Sequence, residues 1–430
     1  MQEYLNLLRR NHNFRYLWWG NVVSLLGDWF NLIASAALIT ELTSSGVAIS
    51  YLFLVRFIPL FLFSPIAGVI ADRFNRKHVL IVSDLLRTVT VLGFLFVRSS
   101  EQVWMLYVLT AVQFALSALF TPARTAIVAN IVSKENLVTA NALDSFTWSS
   151  MFALGAFVGG VVAALFGVQT AFVMDAMTFV LSALLISRIV VPKRKGTTAA
   201  KQTGWLDFVE GFRYLWRHHF LLVIALVKAG GSLVWGAINV IEVTYANDVY
   251  PLDTTFLGQF FTIEDGGTAT LGIIYVISGL GTGLGPLLLR RRLGDKPPRL
   301  ILGITVSFVL MTAGILGLAV APTFPVFLGA TFLRTVGTGT LWVFSAVFLQ
   351  MVVPDRYRGR VFAFEFAALT LTQSLSIFGA GYGLDNLGLT IDQVTLLFGG
   401  LGVLVTAVWV MFTAVNRQQI YAQDFSQEAT

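Results

Sequence analysis

The sequence predicts an all-α integral membrane protein with twelve transmembrane helices arranged as two six-helix pseudo-repeats. Three observations carry this. Of the 430 residues, 56% are hydrophobic and only 12% charged, with a mean hydropathy of +0.77, whereas soluble domains carry about 25% charged residues. So much apolar surface requires lipid as its main solvent. The apolar residues fall into twelve runs, each long enough to span a bilayer, which takes about 20 residues. Finally, the second half of the chain repeats features of the first.

In chain order the twelve segments are Phe14–Thr40, Val47–Ala71, His78–Val97, Val103–Ala123, Ala140–Phe166 and Thr170–Ile189, then Phe220–Tyr245, Thr270–Leu289, Leu300–Val320, Pro325–Val352, Val361–Leu384 and Ile391–Val415. The first run is too long for a cleavable signal peptide and lacks a small-residue cleavage site. The basic residues orient the chain. Arg56, Arg87, Lys228 and Arg334 fall inside segments, and Arg98 falls on one side. The others, including Arg9, Arg10, Arg73, Arg76, Lys77, Lys193, Arg194, Lys195, Arg290, Arg291, Arg292, Arg356, Arg358 and Arg360, collect on the opposite side. Basic loops stay in the cytoplasm, which predicts a multi-pass protein with both termini cytoplasmic. The net charge of +6 is then a topology signal and calls for no nucleic-acid partner.

The chain divides into an N-terminal half, 1–191, a cytoplasmic linker, 192–219, and a C-terminal half, 220–430. The linker begins basic, PKRKGTTAAKQT, and continues GWLDFVEGFRYLWRHH. There Trp205, Phe208, Phe212, Leu215 and Trp216 share one helical face, expected to lie on the membrane surface. The longest outer loop, 248–267, is acidic and aromatic, and nothing in it identifies a ligand. The halves align as an internal repeat. PARTAIVANIVSKENLVTANALD falls on FSAVFLQMVVPDRYRGRVFAFE, so Ser133 corresponds to Pro354, Asp144 to Glu365 and Gly160 to Gly381. GVIADR falls on GPLLLR, which sets Gly68 on Gly285 and Arg73 on Arg290, with Leu289 in place of Asp72.

The turn GVIADRFNRK concentrates charge between the second and third segments: Asp72 lies among Arg73, Arg76 and Lys77, one helical turn beyond Gly68. Glycine there admits a close neighbour. The carboxylate can pair with an arginine or cap an adjacent helix end, the makings of a conformational latch. A basic loop alone follows from topology, but this order is more specific. It resembles the loop 2–3 signature of the major facilitator superfamily, except that Asn75 stands where that family usually has glycine. The six-plus-six repeat with its long middle loop extends the resemblance over nearly the whole chain. SLLGDW, RFIP, TPARTAIVANIV with NAL, MDAMTF, EGFRYL and PDRYRGRVF are similar to the drug:proton antiporter branch that includes macrolide-efflux proteins and the enterobactin exporter. The resemblance implies a monomeric transporter in the bacterial inner membrane, with a central cavity lined by the first, second, fourth, fifth, seventh, eighth, tenth and eleventh segments.

Charges inside a membrane are costly and mark functional candidates. Asp28 and Arg56 lie about 12 and 9 residues from the outer ends of their segments, so similar depths and a direct pair are expected. Burial and a neighbouring base act oppositely on a carboxylate's proton affinity, so a motion that parts the pair would suit proton coupling. The plain alternative is a fixed ion pair that positions two helices. Lys228, Glu242 and Arg334 are the corresponding candidates in the second half. Asp144 and Glu365, at equivalent repeat positions, are expected to hold loop arginines such as Arg124, Arg358 or Arg360 in gate-closing pairs. Asp84 and Arg87, three apart, can pair with each other or with the 2–3 turn. Asp175, placed near an outer end, reads as structural. Gly155, Gly159 and Gly160 suit close helix packing and partly resemble the antiporter motif without its proline. Trp18, Trp19, Trp29, Phe30, Trp148, Trp235 and Trp342 are candidates for an apolar cavity or for interfacial anchors.

With no cysteine, thiol chemistry and cysteine metal sites are excluded. The four histidines form no ligand pattern. No phosphate-binding loop and no Ser/His/Asp arrangement is present, so neither an enzyme nor an ATP-driven pump is expected, and no cofactor. The function expected is secondary transport by alternating access: export of amphipathic, drug-like small molecules by proton antiport. The alternatives are export of one metabolite such as a siderophore, lysolipid movement, or a non-transporting sensor or scaffold. Buried charge argues against the last.

Overall fold

The computed structural model describes residues 2–43, 45–133, 136–190, 204–252, 266–294 and 296–422. Among them, ten helices are long and apolar enough to cross a membrane, and shorter apolar stretches, Gly46–Leu60 and Ser150–Phe166, lie in two further helices. The outer loop 253–265 and the basic part of the linker lie outside the described residues.

The chain forms two compact units. The first begins with a short amphipathic helix, α1 (Gln2–Arg10), which the hydropathy pattern did not reveal. It is fastened by Leu7, buried in an apolar cluster with Phe14, Leu17, Leu80, Phe120 and Ile127. Then come α2 (His12–Thr43), α3 (Gly46–Arg73), α4 (Arg76–Gly93), α5 (Val103–Ile131), α6 (Leu137–Phe166) and α7 (Val168–Ser187). Within this unit α2 packs on α6 and α7, α3 on α5, and α4 on both α5 and α7. Ser45 caps α3 by accepting from the Ala48 N–H at 3.1 Å. Asn75 starts α4 by accepting from the Lys77 N–H at 3.0 Å, a capping role open to asparagine. Gly167, with φ +80°, ends α6 in a conformation that favours glycine.

The second unit contains α8 (Gly204–Arg217), α9 (His219–Ala225), α10 (Val227–Trp235) and α11 (Ile238–Thr244). After α12 (Gly266–Leu293), shared with the first unit, come α13 (Pro297–Ala319), α14 (Phe324–Val352), α15 (Asp355–Asp385), α16 (Ile391–Val415) and α17 (Arg417–Ala422). Residues 245–276 cluster with the first unit.

The seventh segment is present as one apolar span, His219–Val249, interrupted between α9, α10 and α11 and ending in a π turn, Tyr245–Val249. Helix breaks at membrane depth must have their backbone groups satisfied by neighbours. Ser376 on α15 accepts from the Ala237 N–H at 2.8 Å. The Ser232 hydroxyl donates to the Leu369 carbonyl at 3.1 Å. Gly236 lies against Ser376 and the Gln373 carbonyl, where an added Cβ would come within 2.8 Å and 2.9 Å. Helix α8, moreover, does not present its whole apolar face outward. Leu215 is fully buried, Phe212 packs on Phe364 at 5.5 Å, and Tyr214 stacks on Tyr357 at 4.3 Å. Trp216 stays exposed, and the side chains of Trp205 and Phe208 lie outside the described residues.

Candidate functional site: buried charge in each unit

In the first unit, polar side chains from five helices converge in an apolar interior. Asp84 and Arg87, one turn apart on α4, form an ion pair with side chains 0% and 2% exposed. Arg87 also reaches Ser117 Oγ at 3.4 Å and lies over the rings of Phe120 at 4.6 Å and Phe179 at 4.4 Å. Asp28 on α2 is partly buried. Arg56 and Arg87 act on it electrostatically, and Gln113 of α5 faces it. Arg56 is buried on α3, with its guanidinium over the Phe114 ring at 4.4 Å. The direct Asp28–Arg56 pair expected from their depths is absent: the described ion pairs of this unit are Arg87–Asp84 and Arg124–Asp144. Helical depth fixes only one coordinate, and the face each side chain takes decides whether two charges meet.

Asp175 on α7 is fully buried. A Cβ added to Gly27 would meet Asp175 Oδ1 and Thr178 Oγ1, so the carboxyl rests against the backbone beside Asp28. On α7, Val168–Ser187, Asp175 lies in the first half of the helix, and it rests against the middle of α2, which runs for 32 residues. A charge at such a core position is a functional candidate.

In the second unit, Lys228 Nζ on α10 donates to Glu365 Oε2 on α15 at 3.1 Å, with side chains 6% and 4% exposed. The ammonium lies 4.5 Å from the Trp342 ring and 6.0 Å from that of Phe362. Glu365 is therefore tied to Lys228. The reason is length: α15 begins at Asp355, which puts Glu365 about 15 Å into the helix at about 1.5 Å per residue. A second buried group joins Glu242 of α11 and Arg334 of α14 as an ion pair, with Ser278 of α12 3.3 Å from the guanidinium and 3.4 Å from the carboxylate.

On the basic side, Arg124 and Asp144 of α5 and α6 pair at 2.5 Å. At Gly68, Asp72, Arg73 and Arg358 the backbone alone is described, so the latch contacts proposed for those side chains lie outside the described residues. Arg76 and Lys77 are partly buried at the start of α4. Arg360 lies over Tyr357 at 5.9 Å, and its backbone touches Gly211 of α8 closely enough that a Cβ there would come within 2.9 Å.

The glycines of α6 serve close packing within the first unit. A Cβ at Gly155 would meet Trp29 at 2.7 Å, one at Gly159 the Phe30 ring at 3.1 Å, and one at Gly160 the Gly272 Cα at 2.9 Å. Trp29 stacks with Phe152 at 4.8 Å and meets Tyr275 at 5.8 Å. Trp18 instead donates to Thr147 at 2.8 Å, and Trp235 and Trp342 approach to 6.1 Å in the second unit. A cleft of ≈ 780 Å³ beside α1, lined by Asn6, Arg10, His12, Ser133 and Asn136 among others, lies apart from these charges.

The profile of the Major Facilitator Superfamily matches residues 17–264, more than half of the chain. The chain belongs to the major facilitator superfamily. Its members are transporters of small molecules rather than enzymes, and this one is a multi-pass membrane protein. It is 24% identical to the putative bacilysin exporter BacE of Bacillus subtilis, over 94% of this chain and 95% of that protein. It is 22% identical to macrolide efflux protein A of Streptococcus pyogenes, over 94% and 96% respectively. These relatives agree with the branch that the motifs resemble. The fold matches that of the nucleoside transporter NupG with a TM-score of 0.74 and 15% identity, covering 93% of this chain and 98% of NupG. As a major facilitator protein the chain acts on small-molecule substrates.

Proposed function

We propose that this major facilitator protein exports amphipathic small molecules by proton antiport and alternating access, as a monomer in the bacterial inner membrane. Export is supported by the full-length likeness to two relatives whose names describe exporters. Proton coupling rests on the charged interior of the first unit, where Asp28 stands at the middle of α2 and within the fields of Arg56 and Arg87. A ligand shifts a two-state equilibrium only through differential affinity, and a carboxyl whose surroundings change between states supplies that difference for protons. Both termini are cytoplasmic in this reading, with halves 1–191 and 220–430 joined by the linker 192–219. The charged turn with Gly68, Asp72, Arg73, Arg76 and Lys77 acts as a latch on that side, with Arg124–Asp144 as a neighbouring tie and Arg358 and Arg360 as counterparts in the second half. Lys228–Glu365 and Glu242–Arg334 are the charged groups of the second half.

A susceptibility panel in an efflux-deficient host identifies a transported compound. In proteoliposomes, a pH gradient should then drive its accumulation by the wild type, and Asp28→Asn should abolish that accumulation while sparing downhill exchange. An Asp28→Asn protein that still concentrates the compound places coupling elsewhere. The likeness to BacE favours a second reading, in which one dedicated metabolite is exported; resistance confined to a single compound class in the same panel would select it.

A further inference from the structure

Among the described residues, the interior of the first unit holds three acids and two bases. Asp28 comes from α2, Arg56 from α3, Asp84 and Arg87 from α4, and Asp175 from α7. Arg87 is committed to Asp84. Arg56 faces Asp28, Asp175 and Tyr275 without a direct ion pair to any of them. Asp175 alone of the three acids combines two features. Like Asp84 it is fully buried, and neither of its carboxylate oxygens accepts a hydrogen bond from any described residue. Asn31 faces it from α2, one turn beyond Asp28, and its amide nitrogen is likewise unpartnered. The remaining neighbour, α6, carries one charged residue, Asp144, which is engaged with Arg124.

An ionised carboxylate in an apolar interior needs a counter-charge and hydrogen-bond donors. With all five groups ionised, this interior would carry one uncompensated negative charge, and the fully enclosed acid without a hydrogen bond is Asp175. A single proton removes that imbalance. The carboxyl lies against Gly27, and Asp28 acts on it directly, so two acids on adjoining helices share one field. Two like charges that close resist ionising together and titrate as a coupled pair.

We propose that Asp175 is a proton-binding site of this transporter, holding the proton inside the first half while Asp28 is ionised. Asp28 is the partly exposed member of the pair and Asp175 the enclosed one. A proton arriving at Asp28 passes to Asp175, the Asp28 carboxyl losing the O–H bond that Asp175 gains, and returns when the surroundings of Asp28 change. The transfer requires no other reactant. The assignment rests on the proton-antiport reading for its purpose but not for its test.

The test is infrared spectroscopy of the wild-type protein in lipid at neutral pH, with no transported compound. A protonated-carboxyl C=O band should be present and should shift when aspartate is labelled with ¹³C at the side-chain carboxyl. It should be lost in Asp175→Asn. If that variant does not fold, Asp175→Glu serves instead: the band should remain but no longer respond to labelled aspartate. Absence of the band from the wild type, its persistence unchanged in Asp175→Asn, or its continued response to labelled aspartate in Asp175→Glu would overturn the assignment. Loss in Asp28→Asn with retention in Asp175→Asn would move the proton to Asp28 and overturn it too. Failure of the antiport reading is separate: the wild type would show the band but no pH-driven flux.

Discussion

Removing Lys228 should destabilise the second unit more than removing Lys228 and Glu365 together. At 3.1 Å and an effective dielectric of about 20, the pair attracts by about 5 kcal/mol. With side chains 6% and 4% exposed, both charges are withdrawn from water, so that attraction offsets a desolvation penalty of similar size. Lys228→Met leaves Glu365 as an unpaired buried carboxylate, and its Oε1 already lacks a partner. Stranding one member of a buried pair costs about 3–5 kcal/mol. At about 2–4 °C per kcal/mol for a unit of this size, unfolding should occur roughly 6–20 °C lower. Glu365→Leu strands the ammonium in the same way, although the Trp342 ring at 4.5 Å should retain about 0.5–2 kcal/mol for the cation. The double variant removes both charges and should return to within a few degrees of wild type. The assay is thermal unfolding in detergent, followed by size-exclusion fluorescence at one heating rate for all four proteins. Additive losses in the double variant would refute the reasoning, because they would show that each residue acts through packing alone. A stable double variant that no longer transports would give the pair a functional role in addition.

Gly27→Ala should destabilise the first unit by about 1–3 kcal/mol through overpacking, since its Cβ would collide with Asp175 and Thr178. Gly329→Ala, where a Cβ meets nothing within 4 Å, should be neutral or stabilising by comparison in the same unfolding assay. Ser376→Ala should cost about 1–3 kcal/mol, because it strands the Ala237 N–H at the helix break; Ser376→Thr, which restores a hydroxyl, should recover part of the loss. Asp72→Asn should leave the protein inserted at normal levels and slow transport strongly. Flux at the wild-type rate with equal expression would remove that turn from the latch.

How much was legible in the sequence differs between its apolar and its charged residues. The twelve apolar runs were readable because spanning a bilayer demands about 20 apolar residues whatever the neighbours are. Ile391–Val415 is a helix with those bounds, and the charged turn after α3 falls between two helices as its Asn75 cap requires. The internal repeat and the loop signature identified the family because both are patterns along the chain. Which charges meet was decided by the tertiary structure, because a pairing depends on the rotation and tilt of two helices as well as on depth. Thus Arg56 turns onto Phe114 instead of closing on Asp28, Glu365 pairs with Lys228, and Asp175 rests against α2 at Gly27. The break in the seventh segment depended on packing as well: Gly230, Gly231 and Gly236 were visible in the sequence, but a membrane helix breaks only where a neighbour such as Ser376 satisfies the freed backbone groups.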